Sequence, residues 1–273
     1  MISVGFLALA VFMRFFTFTA PPLALDVPLG VWWWQDNASS TLLDFAQTNG
    51  VDEIYYCDSA LDQDTASFVA RANAKGMNVY LLTGECDWIL DKSSLDNLLD
   101  RYRAYQVAHP ESNLAGVHLD VEPHQLDDFG ERRAEYLTLY AEFVYNVVVE
   151  NPDISFDFDI PFWFDDQISL LGDTKPLYQH VFDWANRVFV MSYRDSVDKI
   201  ISCAQDELAY AGVVGTPIFL SVETKPNDNG SITFYQEGKI ALAEVLNSLD
   251  ERVIDDFGIS IHHIESWYQL KEC

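Results

Sequence analysis

Basic residues are scarce in this chain. Sixteen Lys and Arg stand against 43 Asp and Glu, a formal charge of −27. Such a balance argues against nucleic acid and anionic membrane surfaces as partners, because both would be repelled. Cysteine is scarce as well. Cys57, Cys86, Cys203 and Cys273 show no Cys-x-x-Cys or other metal-type spacing, and no histidine pair stands at ligand spacing. No metal and no cofactor is expected, although a divalent metal held by Asp157, Asp159, Glu122 and Glu223 stays open as an alternative. The first strand candidate lacks a Gly-rich phosphate turn after it, which counts against an open nucleotide-binding sheet. Ser192 and Ser221 lack a nucleophile elbow, so serine hydrolase chemistry is not indicated. No linker, low-complexity stretch or composition shift marks a second domain.

One segment differs in kind. Residues 1–24 contain no Asp or Glu, and their apolar core, interrupted by Arg14, is too short to span a bilayer comfortably. Small residues Ala20 and Ala24 close it, in the manner of a signal peptide, although a basic start is missing. Residues 1–25 are thus expected to be a signal peptide or N-terminal anchor, and 26–273 a single domain, secreted or extracytoplasmic and monomeric. In an oxidising compartment a bridge between Cys57 and Cys86, at the ends of successive strand candidates, would be plausible. Asn37-Ala38-Ser39 and Asn229-Gly230-Ser231 are glycosylation sequons.

What the chain has in abundance is aromatic residues and acids, and their placement is ordered. Strand-like runs at 30–34, 52–57, 78–83, 116–123, 154–160, 187–193, 217–223 and 258–264 alternate with helical stretches. The segment between 164 and 186 reads as less regular helix. Eight such units call for a parallel sheet closed into a (β/α)8 barrel. Only six residues follow Trp267, so the eighth helix is expected to be missing.

The run Gly116-Val117-His118-Leu119-Asp120-Val121-Glu122-Pro123 is the centre of the pattern. Alternation sends His118, Asp120 and Glu122 to one face and the three aliphatic residues to the other. Neighbouring acids on one face should raise at least one carboxyl pKa, which suits a general acid. A structural salt-bridge network inside a barrel is the competing account. In barrels of this type the chemistry gathers at the C-terminal strand ends. Those ends carry Trp33 and Trp34, Asp58, Glu85 with Trp88, Asp120 and Glu122, Asp159 and Trp163, Tyr193 and Arg194, Glu223, and Glu265 with Trp267. Carboxylates among flat rings suit an oligo- or polysaccharide, and paired carboxylates cleave glycosidic bonds. For Trp32 to Trp34 packing is the commoner role, and His262 and His263 read as hydrogen-bonded core histidines.

Leu119-Asp120-Val121-Glu122 resembles the end of the DxxDxDxE signature of glycoside hydrolase family 18, the chitinase-like barrels. Met191-Ser192-Tyr193 resembles that family's Met-x-Tyr motif, and Trp267 its pocket-floor tryptophan. The resemblance implies Glu122 as general acid, Asp120 orienting a substrate acetamide that attacks the anomeric carbon, Tyr193 bonding the acetamide oxygen, and Trp267 beneath the sugar. Trp34, Trp88, Asp159, Trp163, Arg194 and Glu265 are the further candidates for sugar contacts. Ala115 and His118 stand where the signature has its first two Asp, and Arg194 replaces the usual Asp after Tyr193. Two other readings stay open. Glu122 and Glu223 would form a retaining acid/base and nucleophile pair at about 5–5.5 Å separation, or the barrel binds sugar without turnover.

Overall fold

A computed structural model describes residues 20–34, 39–253 and 257–272. Ten strands are present among them: β1 (Leu29–Trp33), β2 (Glu53–Tyr56), β3 (Asn78–Thr83), β4 (Val117–Leu119), β5 (Phe156–Pro161), β6 (Gln167–Leu170), β7 (Asp173–Pro176), β8 (Arg187–Met191), β9 (Ile218–Glu223) and β10 (Phe257–His262). Eight are parallel and close a barrel in the order β1-β10-β9-β8-β5-β4-β3-β2, while β6 and β7 form an antiparallel hairpin outside it. The expected (β/α)8 barrel is therefore present. The helices that return the chain are α1 (Ser40–Thr48), α2 (Gln63–Asn73), α3 (Ser93–Ala108), α4 (Phe129–Glu150), α5 (Leu177–Trp184), α6 (Val197–Cys203), α7 (Gln205–Val214), α8 (Gly238–Arg252) and α9 (Ile264–Gln269).

Local chemistry accounts for several of these boundaries. Asp62 caps α2 in a capping box with Thr65, and the backbone of Gly215 ends α7 at φ +79°, a left-handed conformation that glycine adopts without strain. Two packed layers follow from strand alternation. Val31, Val117, Leu119, Phe158 and Ile259 face the helices in the main core. Trp32, Tyr55, Leu82, Phe189 and Phe219 fill the barrel interior as a separate cluster. That filling requires Gly30, where a Cβ would stand 2.1 Å from the Tyr55 hydroxyl.

Four expectations are corrected. The segment after β5 is a β-hairpin followed by α5, because Gln167-Ile-Ser-Leu alternates exposed and buried side chains as a strand does. One expected helix is two, α6 and α7, meeting at Ala204. An eighth returning helix exists in short form: the chain leaves β10 at His263, whose side chain caps α9. No disulfide joins Cys57 to Cys86, and burial with the neighbouring Asp87 raises the Cys86 thiol pKa. Residues 1–19 and the sequon residues Asn37 and Ala38 lie outside the described residues. The described part of the proposed leader is tied to α8, where the Asn247 side chain accepts from the backbone N–H of Ala24, and Asp26, the next residue after that leader, likewise donates its N–H to Asp250. Among the described residues no helix is long and apolar enough to cross a membrane.

Candidate active site

The site grows out of β4. The extended backbone continues past Leu119, so period two carries His118, Asp120 and Glu122 inward while Val117, Leu119 and Val121 enter the core against the helices. His118 is fully buried, its ring stacked on Tyr55 at 4.3 Å and edge-on to Trp32 and Phe189. Asp120 and Glu122 line a cavity of about 420 Å³ with Trp34, Glu85, Tyr193, Lys225 and His262. Gly84 makes room for this wall: a Cβ there would lie 1.9 Å from the Asp120 carbonyl oxygen. The volume falls within the roughly 300–1,000 Å³ typical of small-molecule sites.

Beneath the cavity a ladder of charges runs through the barrel interior. Arg187 donates to both oxygens of Glu53 at 2.8 and 2.7 Å and to both oxygens of Asp157 at 2.9 and 2.6 Å. Asp157 Oδ2 lies 3.8 Å from His118 Nδ1, and His118 Nε2 bonds Asp159 Oδ2 at 2.6 Å. Burial pulls the imidazole pKa down, but Asp159 and Asp157 outweigh it and lift it to about 9. His118 is an imidazolium at neutral pH.

That buried ladder bears on the two acids above it. Burial and the charge of Asp159 push the Glu122 carboxyl up to about 7. Asp120 is raised well above the ordinary carboxyl range by burial, then by Asp159 and Glu122. Two acids so close in a low-dielectric wall cannot both ionise near neutrality. Glu122 is further held by Gln125, whose amide donates to it, and by His124 at 3.7 Å.

The opposite wall is arranged by hydrogen bonds. Trp34 Nε1 donates to His262 Nε2 at 2.8 Å, so the His262 proton sits on Nδ1 and is given to Glu223 Oε2, also at 2.8 Å. Glu223 Oε1 accepts the backbone N–H groups of Thr224 and Lys225 at 2.7 and 2.6 Å. Burial raises the Glu223 pKa, but these donors prevail and lower it below the ordinary value. Tyr193 packs parallel to His262, with ring centroids 6.0 Å apart, and burial with Glu223 keeps its phenol protonated.

Of the predicted residues, Trp34, Asp120, Glu122 and Tyr193 meet at the cavity, with Asp159 below and Glu223 behind His262. The others are not brought there. Trp88 donates to Ser94 and lies over α3 and α4. Trp163 packs on His124 and under the Arg133 guanidinium. Arg194 donates to the Tyr193 carbonyl and stacks over Phe162. Glu265 and Trp267 belong to α9 rather than to an extended strand end, which turns Trp267 onto Phe45 of α1 at 4.9 Å and sets Glu265 beside His263. Lys225 is not among the sequence candidates, and His262, read as a hydrogen-bonded core histidine, is hydrogen-bonded and also lines the cavity. Both follow from counting by two along their strands, Ser260 to His262 and Glu223 to Lys225. Among the described residues no group of three or more His, Cys, Asp or Glu is placed to hold a metal ion.

A second cavity of about 390 Å³ lies between the loop after β5 and the start of α7. It is lined in part by Glu207, which is 1% exposed with both carboxyl oxygens unpartnered. Burial raises its pKa to about 8. A carboxyl raised on folding contributes stability that is complete below its unfolded pKa and is lost as pH rises through about 8. Glu207→Gln should therefore lose less stability than the parent between pH 5 and 9. Urea unfolding at the two pH values checks this, and parallel losses in both proteins would refute it.

No family model matches the chain, and no curated protein is significantly similar to it. Solved structures do match. The spore cortex-lytic enzyme SleL of Bacillus cereus superposes with a TM-score of 0.54 at 13% identity, covering 89% of this chain and 73% of that one. A chitinase from Bacteroides thetaiotaomicron gives 0.54 at 9% identity over 88% and 90% of the two chains. A putative chitinase A from Streptomyces coelicolor gives 0.51 at 14% over 89% and 93%. At such identities the likeness speaks for fold alone, and with the closed parallel barrel it makes this chain an α/β protein of the chitinase-like TIM-barrel fold.

Proposed function

We propose that the protein is a glycoside hydrolase acting on an N-acetylated glycan, with Glu122 as general acid and Asp120 orienting the acetamide. The observation that carries this reading is the meeting of Asp120, Glu122 and Tyr193 on one cavity at the strand ends. Glu122 is protonated up to about pH 7, so it can hand its proton to the leaving glycosidic oxygen. The acetamide oxygen attacks the anomeric carbon as that bond breaks, and Asp120 receives the acetamide N–H. Tyr193, a neutral phenol, donates to the acetamide oxygen. Trp34, fixed edge-on by His262, offers the sugar a ring face. Glu223 serves as a support here, since its oxygens already hold three donors and its charge is committed to His262. The excess of acids suits an extracytoplasmic protein with a neutral polysaccharide substrate.

Release of reducing ends from a panel of N-acetylated and neutral oligosaccharides tests the proposal. Cleavage confined to N-acetylated substrates is expected. Equal cleavage of neutral ones would remove the acetamide from the mechanism, and cleavage of neither would favour a binding barrel. A pH profile adds a second check. With Glu122 needed as the acid, kcat/KM should fall about tenfold per unit above pH 7. A rate still rising through pH 8 would exclude Glu122 from that role.

A further inference from the structure

Strand register sets two acids side by side at the centre of the barrel. Val117, His118 and Leu119 of β4 pair with Phe156, Asp157 and Phe158 of β5. The next step of the same ladder puts Asp120 opposite Asp159, on adjacent strands about 4.8 Å apart with their side chains on one face. Like charges so placed repel. Water does not relieve them: Asp159 is 2% exposed, and the Oδ1 atoms of Asp120 and Asp159 are both buried without a hydrogen-bond partner. The remaining oxygen of Asp159 is taken by His118. Two carboxylates are acceptors only, whereas one proton turns the pair into a donor and an acceptor.

We propose that Asp120 and Asp159 form a one-proton carboxyl pair, and that Asp159, anchored by His118, is the positioning residue that takes the proton when Asp120 must be charged. The surroundings support a division of labour between the two. The His118 imidazolium favours charge on Asp159, and Asp157 behind it is already neutralised by Arg187. On the cavity side Lys225 favours charge on Asp120 and Glu122 opposes it, while His262 is a neutral imidazole held by Trp34 and Glu223. The Tyr140 and Tyr193 phenols stay neutral, Tyr140 donating to the Asp159 carbonyl at 3.3 Å. With the cavity empty the proton rests on Asp120, because the His118 imidazolium bonded to Asp159 favours Asp159 as the charged member.

The consequence for turnover rests on the hydrolase reading given above. As the acetamide enters, the Asp120 proton passes to Asp159, and only two O–H bonds change. Asp120 then accepts the acetamide N–H as a carboxylate and balances the positive charge of the cyclic intermediate. When water opens that intermediate, the proton returns from Asp159 to Asp120.

The pair can be tested without any substrate. Carboxyl-carbon NMR of the full chain labelled with ¹³C at aspartate Cγ should show Asp120 and Asp159 titrating together in two linked steps. Asp159→Asn should leave Asp120 with a single step, lowered by at least about one pH unit, because the opposing charge is gone. His118→Gln should raise both steps, and it serves where Asp159→Asn fails to fold. Independent single-step curves in the parent, or an Asp120 curve unmoved by either substitution, would overturn the pairing. On a cleaved N-acetylated substrate, Asp159→Asn should cut kcat about 10- to 100-fold with KM little changed, and move the alkaline limb to lower pH. Coupled titration with no glycan cleaved would keep the pair and sink the hydrolase reading. Normal kcat and pH profile in Asp159→Asn would sink the role of Asp159 and keep the hydrolase.

Discussion

Glu122→Gln is expected to leave the barrel folded and to cut kcat on an N-acetylated oligosaccharide by about 10²–10⁴-fold. Glutamine keeps the shape of the side chain and can still meet Gln125 and His124, so little packing changes. What it lacks is a proton to give to the leaving oxygen, the whole of the general-acid contribution. KM should move little, because the loss falls on the transition state. Removing an acid that is raised on folding should also leave thermal stability unchanged or slightly higher above pH 7. A pre-steady-state measurement with an activated aryl glycoside sharpens the case. An aryl oxide of low basicity needs no proton, so its departure should be largely spared in Glu122→Gln. Full activity on an unactivated glycan would show that the strand-four acids are structural.

Much of this was legible in the chain, and the reasons are physical. The barrel follows from period-two runs alternating with helical stretches, a pattern set locally. The inward placement of His118, Asp120 and Glu122 follows from the same alternation, as does that of Asp157 and Asp159. What period two could not supply was the point at which a strand ends. Trp267 is assigned to the cavity by its likeness to a pocket-floor tryptophan at the end of the last strand, whereas the His263 cap starts α9 and turns the indole onto Phe45. Trp88, Trp163 and Arg194 show the same limit, since loops and short helical turns carry them. The charge ladder was illegible for another reason. Glu53 and Arg187 are 134 residues apart, and only barrel closure brings them together.

The largest effect on stability should come from the foot of that ladder. Arg187 is the cation shared by Glu53 and Asp157, whose side chains are 10% and 0% exposed, and its guanidinium also lies 4.3 Å from the Tyr80 ring centroid. Arg187→Met keeps an apolar stem of similar length and removes all four charge-assisted hydrogen bonds. Two carboxylates are then left in the barrel floor without a counter-charge, and breaking such a buried pair costs about 3–5 kcal/mol. For a domain of this size that corresponds to a melting temperature lower by about 6–20 °C. Arg187→Lys should recover only part of it, because an ammonium cannot bind both carboxylates in forked geometry. Adding Asp157→Asn to Arg187→Met should recover stability at pH 7, since one of the stranded charges is gone. Calorimetry on the three variants at pH 7 decides the matter: a loss below about 1 kcal/mol in Arg187→Met, or no recovery on adding Asp157→Asn, would mean that the ladder does not hold the floor together.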